Sequence, residues 1–102
     1  MRGEFNERVY SLLKRVPRGK VTTYKELAAA LGSRAYRAVG TAMRVNRDPV
    51  RIPCYRVVRS DGRIGEYSAH GGAKRKAALL GDDRIEIKNG KIDLRRYLHR
   101  FG

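Results

Sequence analysis

Two short helical segments joined by a glycine–serine turn constrain the fold of this chain more than any other feature. Thr23 followed three residues later by Glu26 is a capping-box pattern, which predicts a helix that begins directly after the threonine. Gly32 is a typical helix stop, and Ser33 is a good cap for a second helix over about 34–44. Two short helices with such a turn predict a helix-turn-helix, with an ordinary helical hairpin as the alternative.

The other segments add more helix and a few short extended stretches. Apolar residues at helical spacing predict a helix over 4–16, and a further helix is predicted over 73–80. The basic residues at 74–76 oppose the dipole of that helix, which indicates phosphate contact. Asn-Gly between two alternating runs predicts a β-hairpin over 85–94, either a wing or a closing structural hairpin, and 95–101 is predicted to be a short basic tail. The predicted fold class is therefore mainly α with small β elements.

Basic charge dominates the composition of the chain. It has 102 residues, with 24 Lys and Arg against 10 Asp and Glu, which gives a formal net charge of +14. A charge of this sign and size favours a polyanionic partner, most simply nucleic acid, whereas a solvated surface typical of heat-adapted proteins is the alternative. Because no signal peptide or membrane-spanning apolar run is visible, we predict no membrane association and a reducing, cytoplasmic compartment.

The second helix of the pair has an unusual composition. Small residues such as Ala38 and Gly40 allow its backbone to approach another surface closely, and that surface is either a neighbouring helix or a DNA groove. Arg37 is long enough to reach into a groove or into a gap in a base stack. The alternative is that Arg37 is simply solvated, as most arginines on surface helices are.

The chain has a single cysteine, Cys54, within the segment Ile-Pro-Cys-Tyr-Arg-Val-Val. Pro53 imposes a stiff, non-helical conformation, and positive charge from Arg56 and the surrounding basic residues would lower the pKa of the thiol, which would make it a nucleophile. A buried structural cysteine is the alternative. One cysteine excludes an internal disulfide, and no paired cysteines or clustered histidines indicate zinc, so we predict no metal and no cofactor.

In chain order, the motifs resemble those of the C-terminal, DNA-binding and active-site domain of the O6-alkylguanine-DNA alkyltransferases. The resemblance covers about residues 5–83. It implies a winged helix-turn-helix-like alkyltransferase C-terminal domain, in which 1–102 form one DNA-binding and alkyl-acceptor unit, 85–94 are a hairpin extension and the family's N-terminal domain is absent. The matching stretches are VTTY at 21–24 through LG at 31–32, RAVG at 37–40, Asn46, IPC at 52–54 with RVV at 56–58, Gly65 with YS at 67–68, and Lys76 through LL at 79–80.

The resemblance also implies a partner, double-stranded DNA containing O6-alkylguanine, bound through the minor groove with the damaged base flipped out. Cys54 would accept the alkyl group, Arg37 would fill the vacated stack, and the Tyr24 hydroxyl would donate to the flipped base. Asn46 would brace the turn that shapes the site, and the carbonyls of Cys54 and Val57 would accept from the guanine amino group. The implied catalytic residues are Cys54, Tyr55, Asp83 and Tyr24. The implied DNA-binding residues are Thr23, Tyr24, Ser33, Arg34, Arg37, Ala38, Gly40 and Arg44. The implied substrate-binding residues are Tyr24, Asn46, Val57, Tyr67 and Ser68.

The sequence departs from the family pattern at the residues that would activate the thiol. The family has a histidine directly after the cysteine, which passes a proton through water to a glutamate. Here the histidine position is Tyr55, a poor base at neutral pH, and the glutamate position falls on Asp82 or Asp83. A nearby loop is also longer, so His70 is a candidate replacement base. The sequence therefore does not identify the group that activates Cys54.

Three functions follow from these observations. The first, which we favour, is an enzyme that transfers an alkyl group directly and stoichiometrically from guanine in DNA to Cys54. The second is a lesion sensor: the related alkyltransferase-like proteins have tryptophan in place of the cysteine, and the tail at 92–97 resembles theirs. The third is a plain winged-helix DNA-binding protein with a structural cysteine. We expect a monomer in the nucleoid of a prokaryote, a thermophilic archaeon or bacterium, with other DNA-repair proteins as further partners.

Overall fold

The prediction of a mainly helical chain with small β elements is confirmed by the computed structural model, which describes residues 2–67, 69 and 71–101. Its elements, in chain order, are α1 (Arg2–Leu13), β1 (Thr22–Thr23), α2 (Tyr24–Ala30), α3 (Tyr36–Arg44), a 3-10 turn (Cys54–Arg56), β2 (Val57–Val58), α4 (Gly72–Asp82), β3 (Ile87–Lys88), β4 (Lys91–Ile92) and α5 (Leu94–Tyr97).

The start of α2 follows the capping pattern, whereas the start of α3 does not. The Thr23 hydroxyl accepts a hydrogen bond from the Glu26 backbone N–H at 3.0 Å, as a helix cap does. The prediction that Ser33 caps the next helix is wrong. Its hydroxyl accepts from the Ala35 N–H at 2.9 Å within the turn, and α3 begins later, at Tyr36, without a side-chain cap.

The first helix ends earlier than its apolar stripe predicts. α1 stops at Leu13, and a tight turn continues the chain, with the Val16 N–H donating to the Leu13 carbonyl at 3.0 Å. The physical reason is Pro17, whose ring disfavours a helical conformation of the residue before it. The predicted stripe is nevertheless correct, because Val9, Leu13 and Val16 are all buried in the core between α1, α2 and α3.

A short parallel strand pair joins the two halves of the structure. β1 pairs with β2, with Thr22 opposite Val57 and Thr23 opposite Val58. Val57 belongs to the core around α1–α3, and Val58 belongs to a second core around α4 and the hairpin. The pairing therefore holds the start of α2 beside the strand that directly follows the 3-10 turn of Cys54, and this arrangement positions the candidate site.

The predicted Asn-Gly hairpin is confirmed, although its strands are short. Asn89 and Gly90 have φ angles of 54° and 75°, as a type I′ turn requires. Ile92 is buried, and its N–H donates to the Gly62 carbonyl at 2.8 Å, so the hairpin packs onto the loop after β2. These contacts favour the closing structural hairpin among the two alternatives.

The prediction of a simple basic tail over 95–101 is wrong. Part of this segment is the short helix α5, and Tyr97 of that helix is buried in the second core. Val21 is held on both sides by the tail: its N–H donates to the Tyr97 carbonyl at 2.9 Å, and its carbonyl accepts from the His99 N–H at 2.8 Å. These backbone hydrogen bonds with Val21 hold the segment in place, although its basic composition predicted a free tail.

Gly62→Ala is expected to destabilise the fold by roughly 2–3 kcal/mol, since a left-handed backbone and a close contact coincide there. Gly62 has φ of +91°, and a Cβ at this position would lie 2.6 Å from the Ile92 carbonyl oxygen. The matched control is Gly81→Ala inside α4, where a Cβ meets open space, and a gain of up to about 1 kcal/mol is expected. Urea denaturation of both variants measures the difference, and equal stabilities would contradict this reading of the hairpin contact.

Candidate active site

The cysteine lies in the wall of a pocket of about 520 Å³ that α2, α3, the 3-10 turn and the loop after β2 enclose. Cys54 is 8% exposed, so its thiol is shielded from bulk solvent and still faces this pocket together with Arg37 of α3. The alternative of a cysteine sealed in the interior, away from the arginine-bearing helix, does not fit this placement. The pocket is lined by Tyr24, Lys25, Tyr36, Arg37, Gly40, Met43, Arg44, Cys54, Arg59, Ser60, Gly65, Glu66 and Tyr67.

Asn46 braces the turn that carries the thiol. Its side-chain N–H₂ donates to the Ile52 carbonyl at 3.0 Å, and its side-chain oxygen accepts from the Asp48 N–H at 3.0 Å. The same Ile52 carbonyl accepts from the Cys54 N–H at 2.7 Å. The amide of Asn46 therefore ties the end of the α3–β2 connection to the backbone of Cys54, and its role in shaping a substrate site stays a prediction.

The charge around the thiol differs from the prediction. Burial raises the pKa of the Cys54 thiol above its ordinary value, while a hydrogen bond with Asn46 and the positive charge of Lys76 lower it again in part. Arg56, which the sequence suggested as the source of charge, is directed elsewhere. Its Nε donates to Asp83 at 2.9 Å and its Nη1 to the Val16 carbonyl at 3.0 Å. The prediction that Arg56 activates the thiol is wrong, because a buried carboxylate holds its guanidinium.

Tyr55 and Asp83 form a brace behind the turn. The Tyr55 hydroxyl donates to Asp83 Oδ2 at 2.8 Å, and Asp83 is 6% exposed, whereas Asp82 is exposed. Burial and the hydrogen bond to Asp83 raise the pKa of Tyr55 to about 12, so the phenol stays neutral and acts as a donor. Of the two candidate acids, Asp83 is therefore the one that contacts the residue after the cysteine. A catalytic role for this pair stays a prediction.

The helix-turn-helix presents the arginines of α3 and buries one other candidate DNA contact, Thr23. Arg37 and Arg44 are exposed and line the pocket, and Gly40 lies between them on the same wall. Ala38 is half-buried, and Arg34 is exposed in the turn before α3. Two predicted contacts have other tasks: the Thr23 hydroxyl is buried as the cap of α2, and the Ser33 hydroxyl accepts a backbone bond in the turn.

Of the predicted substrate-binding residues, Tyr24 and Tyr67 line the pocket, whereas Val57 and Asn46 are not part of its lining. Burial and the nearby Glu66 carboxylate raise the pKa of Tyr24, and burial raises that of Tyr67, so both hydroxyls keep their protons at neutral pH. The Val57 carbonyl, predicted to accept from guanine, already accepts from Lys76 Nζ at 2.6 Å. The two remaining predictions, Ser68 as a pocket contact and His70 as a base, lie outside the described residues.

Sequence reasoning missed part of this pocket. Tyr36 and Met43 lie on α3, where helical periodicity places them on one face with Gly40, whereas Lys25 lies on α2 and its position depends on how the two helices pack. The pocket residues of the irregular loop after β2 carry no such signal: Arg59, Ser60 and Glu66. The prediction of phosphate contact by the basic turn of α4 is wrong for Lys76, which is 1% exposed.

Two negative findings concern the described ranges alone. None of the helices that they contain combines the length and the apolar composition needed to cross a bilayer. Across residues 2–67, 69 and 71–101, no group of three or more His, Cys, Asp and Glu side chains is placed to hold a metal ion.

Comparison with known proteins identifies similar sequences and a similar fold. The family model for the DNA-binding domain of 6-O-methylguanine DNA methyltransferase matches residues 4–85. A bifunctional methyltransferase/endonuclease of Picrophilus torridus is 51% identical over 90 residues, which cover 87% of this chain and 30% of that protein. A methylated-DNA–protein-cysteine methyltransferase of Methanothermobacter thermautotrophicus is 40% identical over 85 residues, which cover 83% of this chain and 47% of that protein. The chain thus spans less than half the length of either relative.

A solved structure extends the similarity beyond the matched sequence. The structure of S. pombe Atl1 in complex with damaged DNA containing O6-carboxymethylguanine has a TM-score of 0.86 and 30% sequence identity to this chain, and the match covers 97% of each chain. The match therefore includes α5 and the hairpin as well as the helix-turn-helix. It confirms the predicted fold class of a small, mainly helical alkyltransferase DNA-binding domain.

Proposed function

We propose, because this chain belongs to the 6-O-methylguanine DNA methyltransferase family, that it repairs DNA by transferring an alkyl group from O6-alkylguanine to Cys54. The observation that carries this proposal is the position of the thiol in a pocket whose rim includes Arg37. The pocket volume of about 520 Å³ lies in the range of small-molecule sites and suits a single base.

The proposed reaction is a direct displacement by sulfur. The thiolate of Cys54 attacks the alkyl carbon, a C–S bond forms, and the bond between that carbon and guanine O6 breaks. The electron pair of the broken bond stays on the guanine, which takes up one proton while the thiol has lost one. Tyr24 is the proposed donor to the guanine, since a neutral hydroxyl stabilises charge that develops in the transition state. The thioether product is stable, so each molecule acts once.

The proposed DNA contacts follow from the charges on the pocket rim. Basic side chains from two helices and the loop after β2 surround the opening: Lys25, Arg37, Arg44 and Arg59. Phosphates would bind to this rim, and α3 would approach the groove through its small residues. Arg37 would occupy the space that the flipped guanine leaves in the stack. The proposed setting is the prokaryotic cytoplasm, and two relatives of this chain are archaeal proteins.

The second candidate function is a lesion sensor, and two observations favour it. One solved structure that matches 97% of this chain and 97% of its own chain is Atl1 bound to damaged DNA. Tyr55 stands where the family has a histidine. Its hydroxyl donates a hydrogen bond to Asp83 at 2.8 Å, and its pKa is raised, so it keeps its proton. A thiol without the usual proton relay would react slowly, and the protein would then mark the lesion for other repair proteins.

One experiment separates these functions. The protein is incubated with a duplex oligonucleotide that carries isotopically labelled O6-methylguanine, and the label on Cys54 is measured by peptide mass spectrometry. Covalent label on Cys54 supports the repair enzyme. Binding that prefers the lesion without any label supports the sensor. Binding that is indifferent to the lesion contradicts both functions.

The affinity for duplex DNA is expected to fall steeply with salt, by roughly 10²–10³ between about 50 and 200 mM, because phosphate contacts release counterions. Arg44→Ala should reduce the slope of log affinity against log salt by about one, since it removes one contact of the rim. Fluorescence anisotropy at several salt concentrations measures both slopes. A flat salt response would contradict the proposed basic interface.

A further inference from the structure

Tyr36, the first residue of α3, is an exposed aromatic residue to which the proposed reaction gives no task. It is 45% exposed, and it lines the same pocket as Cys54. It also lies outside the family resemblance, because the matching stretch RAVG begins one residue later, at Arg37. Single exposed apolar side chains are common on protein surfaces, but one in the wall of a pocket contacts whatever fills that pocket.

The position of Tyr36 on α3 places it at the opening of the pocket. Tyr36, Gly40 and Met43 recur at helical spacing, so they share one face of the helix, and all three line the pocket. Met43 at one end of this face is 8% exposed, Gly40 is half-buried, and Tyr36 at the other end is exposed. The face therefore runs from the floor of the pocket at Met43 to its opening at Tyr36.

The ring of Tyr36 has no partner within the described part of the chain. The hydroxyls of Tyr10, Tyr55 and Tyr97 form hydrogen bonds with other segments, whereas the Tyr36 hydroxyl forms none with a described residue. The aromatic pair and the cation–π contacts found in the described ranges also involve other residues. The backbone is held, since the Tyr36 N–H donates to the Arg34 carbonyl at 2.8 Å. The ring is thus available to a ligand from a fixed position.

The charges around the opening favour a nucleic-acid ligand for this ring. Beside one carboxylate, that of Glu66, four basic side chains of the described residues line the pocket: Lys25, Arg37, Arg44 and Arg59. Proteins bind unpaired bases with aromatic rings set among basic side chains, because the ring stacks on the base while the cations contact the phosphates. Tyrosine suits an exposed position of this kind, since its ring is apolar and its hydroxyl is compatible with water.

We propose that Tyr36 is a base-binding residue, whose ring stacks on the flipped O6-alkylguanine at the opening of the pocket. This inference rests on the proposed function, because it requires a flipped guanine in the pocket. The space beside Gly40 is open to such a planar group, since the nearest side-chain atom to a Cβ built there is Arg44 Nη1 at 3.8 Å. Arg37 fills the gap inside the duplex, whereas Tyr36 contacts the base after it has left the stack.

The test isolates the contribution of the base to binding. Fluorescence anisotropy measures the affinity for a strand with O6-methylguanine relative to the same strand with a stable abasic site, both single-stranded and in duplex. Contacts of Tyr36 outside the pocket cancel in this ratio. Tyr36→Ala should lower the ratio by roughly five- to a hundredfold, the range measured for loss of one base–aromatic stack, and by the same factor on both forms of DNA. Tyr36→Phe keeps the ring and should match the wild type.

Val45→Ala is the matched control, because it removes an exposed apolar side chain at the other end of α3, outside the pocket lining. It should keep the wild-type ratios. Tyr36→Leu, which retains apolar bulk without an aromatic face, should lose most of the base-dependent affinity. Unchanged ratios in Tyr36→Ala, a loss confined to the duplex, or a wild-type ratio in Tyr36→Leu would each overturn the stacking role.

The two proposals fail separately. If the wild type binds the lesion without transferring label and Tyr36→Ala lowers both ratios, transfer to Cys54 is wrong and the base contact of Tyr36 stands. If label is transferred and Tyr36→Ala keeps the wild-type ratios, the repair function stands and the role of Tyr36 is wrong. A wild-type affinity that does not depend on the base would contradict both.

Discussion

Replacing Cys54 by serine is expected to abolish alkyl transfer, by at least about a thousandfold, and to leave binding to the lesion within a few-fold of the wild type. Serine has nearly the same shape, but a hydroxyl ionises far less than a thiol, and its oxygen is a much weaker nucleophile than sulfur toward an alkyl carbon. The pocket wall and the basic rim are unchanged by this substitution. Label transfer from O6-methylguanine duplex and anisotropy with the same duplex measure the two properties separately.

Ser11→Ala is the matched control for this variant, because it exchanges a small exposed side chain on α1, outside the pocket. It should transfer the label at the wild-type rate. Label that appears at another position in Cys54→Ser would contradict the assignment of the acceptor. A wild type that binds the lesion but does not become labelled would favour the sensor over the enzyme.

Arg37→Ala is expected to reduce repair in duplex DNA at least about tenfold more than repair in a single-stranded oligonucleotide. Arg37 is exposed on α3 and shares the pocket with Cys54. Flipping a base out of a duplex costs a few kcal/mol of stacking and pairing, and a side chain inserted into the gap offsets part of that cost. A single strand has no such stack to refill, so the loss there should be small.

The control for Arg37→Ala is Arg8→Ala on α1, which removes the same charge from a surface away from the pocket. It should change repair of both substrates by a similar, small factor. Transfer rates at saturating protein separate the flipping step from affinity. If Arg37→Ala reduced the transfer rate equally on the duplex and on the single strand, the proposed insertion into the base stack would be contradicted. Arg37 would then act only as a phosphate contact.

Local patterns predicted most elements of the fold correctly. The Thr23 cap, the apolar stripe of α1 and the Asn89-Gly90 turn each depend on residues within a few positions of one another. The family resemblance also predicted that the thiol and Arg37 serve one site, and both residues line the same pocket, while their roles stay predictions. The errors at this level arose where two local hydrogen bonds were possible for one side chain. The Ser33 hydroxyl, for example, was expected to cap α3 and instead accepts from the Ala35 N–H in the turn.

The tertiary structure alone decided which charges surround the thiol. Arg56 lies two positions from Cys54 and is held by Asp83, which is 27 positions away in the chain. Lys76 donates to the Val57 carbonyl, 19 positions before it, and its positive charge lowers the pKa of the thiol against the effect of burial. Proximity in sequence predicts a backbone conformation well, because hydrogen bonds and dihedral preferences act over a few residues. The direction of a long side chain depends on the nearest buried partner after folding, and the spacing of residues along the chain does not encode it.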